Sequence, residues 1–93
     1  MYTIKATKQF LHQAKKFLKK HPNLKSRFAE LIDAICKDPF QPHLKLHPLS
    51  GKFEGLYTVN LTYAYRVTLT LMIDEKEIIL IDIGGHEEVY GKG

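Results

Sequence analysis

The segment formed by residues 77–83 constrains the fold of this chain most, because it is an almost unbroken run of isoleucine and leucine. Such a short apolar run is typical of a central β-strand that is buried on both faces. Before it, residues 65–71 alternate apolar with polar side chains, which is the pattern of a half-buried strand. Asp74 and Glu75 separate the two segments and predict a hairpin turn. The chain is therefore expected to contain an antiparallel sheet, with residues 77–83 inside it.

The first half of the sequence predicts one short strand and two helices. Residues 2–6 alternate apolar with polar side chains, as a strand does. A first helix is expected after Thr7, a suitable N-cap, and before Pro22, because the residue before a proline avoids the helical region. Its apolar stripe has helical spacing and consists of Phe10, Ala14, Phe17 and Leu18. A second apolar stripe predicts a helix over residues 23–37.

The predicted order is β-α-α-β-β-β, an α+β fold in a single domain over residues 1–93, since 93 residues leave room for one domain. The helical hairpin can cover only one face of the small, mainly antiparallel twisted sheet. The other face, which carries Arg66, Thr68 and Thr70, is expected to be concave and partly open. Residues 40–54 have no clear period and predict a connecting loop beside that face.

Charge is distributed unevenly along the chain. Residues 1–50 hold ten Lys or Arg against three Asp or Glu, a net charge of +7, and residues 51–93 hold four against seven, a net charge of −3. The basic half is suited to a polyanion such as RNA, although a lysine-rich solvated helix face has the same composition. No apolar run is long enough to cross a bilayer, and Cys36 is the single cysteine, so we expect a cytoplasmic protein without internal disulfides.

Three groups of side chains are candidates for chemistry. His86 and Tyr90 follow the last strand, and a histidine can exchange a proton near neutral pH; the simpler interpretation is a surface histidine with a packing tyrosine. Residues 43–52 hold two histidines and two lysines, which suit an anionic substrate, or else form a polar loop anchored by leucines. Zinc at His43 and His47 lacks a nearby third ligand. Arg66 either pairs with an acidic side chain or holds a phosphate through its planar guanidinium.

Taken in order, these motifs resemble the RelE/ParE superfamily of bacterial type II toxins, on the side of RelE and YafQ. The resemblance covers nearly the whole chain. The segments that carry it are His47-Pro48-Leu49-Ser50-Gly51, Gly55-Leu56-Tyr57, Tyr65-Arg66-Val67 and Ile81-Asp82-Ile83-Gly84-Gly85-His86-Glu87-Glu88-Val89-Tyr90.

The resemblance implies an endoribonuclease, an mRNA interferase that cuts mRNA on the ribosome through attack of a 2′-hydroxyl on the adjacent phosphate. It implies that neither a metal nor a cofactor is needed, and that the partners are a cognate antitoxin, the ribosome and mRNA. The implied catalytic residues are His47 as a base or phosphate contact, Arg66 as a charge neutraliser, His86 as general acid, and Tyr90, which stacks on a base or assists proton transfer. The implied RNA-binding residues are Lys15, Lys16, Lys19, Lys45 and Lys52.

Two positions depart from the pattern of YafQ-like enzymes, and two other functions stay open. YafQ-like enzymes carry a further histidine where this chain has Asn60, and an aspartate where it has Ala64. One alternative is a non-enzymatic poison of DNA gyrase, like the ParE branch. The other is a catalytically degraded binding module with the toxin fold.

Overall fold

In the computed structural model, which describes residues 1–85, two helices pack on one face of a five-stranded sheet. The strands are β1 (Thr3–Ala6), β2 (His47–Pro48), β3 (Tyr57–Asn60), β4 (Tyr65–Met72) and β5 (Glu77–Gly85), and the helices are α1 (Lys8–Lys20) and α2 (Lys25–Lys37). The sheet order is β1-β5-β4-β3-β2, with β1 parallel to β5 and the other neighbours antiparallel. The predicted α+β fold class is confirmed.

The N-terminus of α1 forms as its sequence predicts. The Oγ1 of Thr7 accepts a hydrogen bond from the backbone N–H of Phe10 at 3.0 Å, which pairs a donor that the first turn would otherwise leave unpaired. The second helix begins two residues later than predicted, because Pro22 to Leu24 form a separate 3₁₀ turn. Proline suits the first position of such a turn, since it has no N–H to donate.

The core lies between the helices and the sheet. The rings of Phe10 in α1 and Phe28 in α2 have centroids 6.3 Å apart and join the two helices. Fully burying one aliphatic or aromatic side chain contributes roughly 1.5–3 kcal/mol, so this cluster is the main source of stability. Its best-buried members are Phe10, Ile35, Val59, Val67, Leu69 and Ile78. Within residues 1–85, no helix is both long and apolar enough to span a membrane.

Strand β5 lies inside the sheet, as predicted, between β1 and β4. Burial differs between its two faces: Ile78 and Leu80 are buried against the helices, whereas Ile79 on the opposite face is only half-buried. The difference from the prediction has a simple cause, because the helices cover only one face. A bulge at Ile81 interrupts the pairing with β4 and places Asp82 opposite Thr68.

The predicted loop over residues 40–54 contains the two-residue strand β2 and two 3₁₀ turns, Pro42–Leu44 and Gly51–Phe53. Leu44 is buried and two further leucines of the loop are half-buried, so the leucines do anchor it. The backbone N–H of Leu49 donates to the carbonyl oxygen of Leu56 at 2.9 Å and closes the second turn at its base. This loop therefore has a defined shape next to the sheet.

Candidate active site

A cavity of about 630 Å³ lies on the face of the sheet that the helices leave uncovered. Residues 45–53 supply one wall, and β3 and β4 supply the floor with Thr58, Asn60 and Arg66. This volume lies within the range of small-molecule binding sites. The cavity occupies the position that the sequence predicts for an open surface beside the loop.

Strand register brings the polar side chains of this cavity together. His47 of β2 pairs with Thr58 of β3, and Asn60 of β3 pairs with Arg66 of β4. Residues directly opposite each other in a sheet point to the same face, and side chains alternate along a strand. His47, Asn60 and Arg66 therefore share the cavity face although they come from three strands.

The cavity is electropositive. Its lining includes the side chains of Lys45, Lys52 and Arg66 together with His47, and none of the described lining residues is acidic. Cations that line a concave surface concentrate the potential there and attract anions. The site is therefore suited to a phosphate group.

Asn60 orients the guanidinium group of Arg66. The Nε of Arg66 donates to the Oδ1 of Asn60 at 3.3 Å, so β3 helps to set the plane of the group that faces the cavity. A planar guanidinium can match two oxygens of one phosphate, which a lysine cannot do. An amide does not exchange protons near neutral pH, so Asn60 supports the arginine and does not act as an acid or a base.

The backbone at Lys45 directs the loop toward the cavity. Lys45 has a left-handed conformation with φ of 53°, and its N–H donates to the carbonyl oxygen of Pro42 at 3.1 Å. For a residue other than glycine this conformation costs roughly 1–2 kcal/mol. The strained residue stands between the 3₁₀ turn and β2, two positions before His47. Strain of this kind is common at functional sites.

Lys52 and Phe53 form the rim on the other side of the loop. The Nζ of Lys52 lies 5.4 Å from the centroid of the Phe53 ring, a distance at which the ring attracts the ammonium group. Gly51, the residue before them, has φ of 66°, a conformation that favours glycine. The tight turn at Gly51 thus leads directly to the Lys52 side chain at the cavity.

The remaining predicted site residues divide into three groups. His86 and Tyr90 lie outside the described residues. Lys16 lines a second cavity beside α1. Lys15 and Lys19 are exposed on α1 and line neither cavity.

The histidine pair considered for zinc is also separated by the structure. His47 lines the cavity, whereas His43 is exposed and does not. Residues 1–85 contain no group of three or more His, Cys, Asp or Glu side chains able to hold a metal ion.

Sequence reasoning missed the role of Asn60 as the hydrogen-bond partner of Arg66. Asn60 and Arg66 lie at equal distances from the centre of the turn between β3 and β4, and this spacing in the sequence could have predicted that they pair. Reasoning from sequence also missed the second cavity, because its lining combines α1 with the distant Tyr65. The spacing within α1 gives no sign of that partner.

Comparison with known proteins identifies the family. The model of the bacterial toxin of type II toxin-antitoxin system, YafQ, matches residues 2–91. The chain belongs to the YafQ toxin family. This confirms the resemblance drawn from the sequence motifs. A search of curated protein sequences found no significant match.

Solved structures agree with the family. YafQ from Escherichia coli strain BL21(DE3) is similar over 98% of this chain and 100% of its own, with 18% identity and a TM-score of 0.81. A YoeB/ParE toxin from Agrobacterium tumefaciens is similar over 90% and 98%, with 17% identity and a TM-score of 0.76. YafQ in the E. coli DinJ-YafQ complex is similar over 98% and 100%, with 20% identity and a TM-score of 0.71. At these identities the similarity establishes the fold.

Proposed function

We propose that this YafQ-family toxin is an endoribonuclease that cleaves mRNA on the ribosome through attack of a 2′-hydroxyl on the adjacent phosphate. The observation that carries the proposal is the electropositive cavity, where His47 stands with Lys45, Lys52 and Arg66 and no described acidic side chain. Such a cavity accommodates the phosphodiester and opposes its negative charge.

The reaction needs a group that accepts the proton of the 2′-hydroxyl, and His47 takes this role. It lies on the cavity face of β2, exposed to a bound strand. As the 2′-oxygen attacks phosphorus, negative charge grows on the phosphoryl oxygens. Arg66, oriented by Asn60, and the two lysines stabilise that charge, which is usually the largest contribution of an active site.

The leaving 5′-oxygen needs a proton, and the family resemblance assigns it to His86 as general acid, with Tyr90 stacking on a base. Bond formation between the 2′-oxygen and phosphorus accompanies loss of the bond from phosphorus to the 5′-oxygen. The products are a 2′,3′-cyclic phosphate and a 5′-hydroxyl. No electron transfer is involved, and the side chains alone carry the protons.

We also propose that an antitoxin binds and neutralises this protein. E. coli YafQ has been solved in a complex with DinJ, over essentially the same length of chain. α1 contains no acidic residue and five lysines, so an acidic segment of the antitoxin is a suitable partner for it. Such binding is expected to weaken as salt is added.

Paired histidine variants test the enzymatic proposal. Purified wild-type protein, His47→Ala and His43→Ala are added to a cell-free translation system, and cuts in ribosome-bound mRNA are mapped. Both histidines are exposed in the same loop, but only His47 lines the cavity. His43→Ala is expected to cleave like the wild type, and His47→Ala about 100-fold or more slowly, the usual contribution of general acid–base catalysis.

Three outcomes contradict the proposal: intact mRNA at saturating protein, full activity of His47→Ala, or full toxicity of a His47→Ala, His86→Ala double variant. Cleaved supercoiled DNA with intact mRNA would instead indicate a gyrase poison. Harmless overexpression of the wild type would indicate a binding module.

A further inference from the structure

A second cavity, of about 500 Å³, lies beside the C-terminal half of α1, outside the proposed catalytic cavity. One wall comes from α1, with His12, Gln13, Lys16 and Lys20. Residues four apart on a helix share a face, so Lys16 and Lys20 present two ammonium groups along the same wall. This cavity is termed the α1 groove.

The floor of the α1 groove is aromatic. Phe17 lies with its ring centroid 4.6 Å from that of His21 and 5.0 Å from that of Tyr65, and the last two are 4.9 Å apart. Phe17 is buried, whereas His21 and Tyr65 are half-exposed. The protein therefore offers ring surface to solvent at the base of a basic wall.

The chemistry of the α1 groove matches an unpaired nucleotide. Its described lining contains no acidic residue, and it combines lysines with aromatic rings and polar side chains. Proteins bind single-stranded nucleic acid with this combination, because cations follow the phosphates while bases stack on rings. An acidic peptide would use the lysines but would leave the rings and Gln13 without a role.

The α1 groove and the catalytic cavity lie on opposite faces of the same end of the sheet. Tyr65 lines the groove and the next residue, Arg66, lines the cavity, because neighbouring side chains of a strand point to opposite faces. The turn between β3 and β4 stands between them, and its Tyr63 is fully exposed. One RNA strand can pass around this turn and occupy both sites.

We propose that the α1 groove binds an unpaired nucleotide of the substrate mRNA beyond the cleaved phosphate, an inference that rests on the proposed function for the identity of the RNA. Its phosphate lies at Lys16 and Lys20, and its base lies against the rings of His21 and Tyr65. The groove holds the strand and takes no part in the bond breaking.

Two pairs of lysines give a matched test. Lys16→Ala, Lys20→Ala removes the basic side chains of the wall, and Lys25→Ala, Lys37→Ala removes two exposed lysines of α2 that line neither cavity. The probe is a fluorescent single-stranded 2′-O-methyl RNA of about ten nucleotides, which cannot be cleaved by its own 2′-oxygen. Fluorescence anisotropy measures its affinity over a range of salt concentrations.

The groove variant is expected to bind about tenfold more weakly, with a salt slope lower by about 0.7, since Lys16 and Lys20 contact one phosphate and each lost phosphate contact on a single strand contributes about 0.7. The control pair is expected to bind within about threefold of the wild type and keep its slope. Equal losses in both variants would indicate diffuse attraction and overturn the proposal. So would unchanged RNA binding with weakened antitoxin binding.

Cross-linking identifies the RNA and the position. In a cell-free translation system whose mRNA alone carries 4-thiouridine, ultraviolet light is expected to attach mRNA to peptides that contain His21 or Tyr65. If the oligonucleotide binds but the labelled mRNA never cross-links there, the assignment to substrate mRNA is wrong. If the groove variant cleaves mRNA and binds RNA normally, the proposed role of the groove is wrong and the proposed function still stands. If RNA binds in the groove but no mRNA is ever cleaved, the proposed function is wrong and RNA binding by the groove still stands.

Discussion

Replacing Thr68 by valine is expected to stabilise the protein. Thr68 lies on β4 beneath the candidate active site, opposite Thr58 and Asp82, and only 2% of its surface is exposed. Its Oγ1 is buried and has no hydrogen-bond partner within residues 1–85. A valine has nearly the same shape, the same branching at Cβ and no group that needs a partner. Thr68→Val therefore removes a buried polar group without leaving a void.

The expected gain follows from the cost of the unpaired hydroxyl. Burying such a group without a partner costs about 1–3 kcal/mol. Taking the lower end of that range, we expect the free energy of unfolding to rise by about 1 kcal/mol. For a domain of this size, that change raises the melting temperature by roughly 4–8 °C.

Urea unfolding followed by circular dichroism measures the change, and an unaltered slope with a higher midpoint identifies it as a gain in stability. Thr58→Val is the control, because Thr58 is equally buried, but among the described residues it is the Thr68 hydroxyl that is buried without a hydrogen-bond partner. The control is expected to stay within about 0.5 kcal/mol of the wild type. A loss of stability in Thr68→Val would show that the Thr68 hydroxyl is hydrogen-bonded in the folded protein and would contradict the expected gain.

Three further variants test the contacts around the site. Asn60→Ala is expected to lower kcat/KM about tenfold, because a hydrogen bond to a charged group contributes about 1.5 kcal/mol. In a protein that already carries Arg66→Ala, the same substitution should leave kcat/KM unchanged. An undiminished effect in the Arg66→Ala background would mean that Asn60 does not act through the arginine. Gly51→Ala is expected to lower the free energy of unfolding by about 1 kcal/mol in thermal unfolding. A Cβ at this position would meet no other atom, so the loss comes from the backbone, whose φ of 66° is unfavourable for alanine. Unchanged stability would contradict this. Arg27→Ala should cost about 1.5 kcal/mol in urea unfolding, since its Nε donates to the carbonyl oxygen of Leu61 at 3.0 Å, and a neutral result would count against that bond.

The parts of the fold that sequence predicts well are those set by local periodicity. Alternation over residues 65–71 and the apolar run of residues 77–83 identify two paired strands, because side chains in a strand repeat every two residues. Thr7 identifies the start of α1 for an equally local reason, the pairing of a backbone donor three residues away.

Other features depend on pairing between distant segments and leave no local trace. The bulge at Ile81 exists only in relation to β4, and β2 exists only because His47 and Pro48 meet β3. The left-handed backbone at Lys45 could not be predicted from the residue type, because the position holds neither glycine nor asparagine. The cavity on the uncovered face was predictable in outline because two helices can cover only one face of the sheet, whereas the hydrogen bond from Arg66 required the register.

The chemical structure of the new RNA ends distinguishes attack by the 2′-hydroxyl from other routes of cleavage. A translated mRNA is cut by the wild-type protein, the new ends are analysed, and the experiment is repeated with a single 2′-deoxy nucleotide at the cleavage site. Attack by the 2′-hydroxyl predicts a 2′,3′-cyclic phosphate and a 5′-hydroxyl in the first case and an intact strand at that site in the second. Ends that carry a 3′-hydroxyl and a 5′-phosphate, or cleavage beside the deoxy nucleotide, would contradict the proposed mechanism.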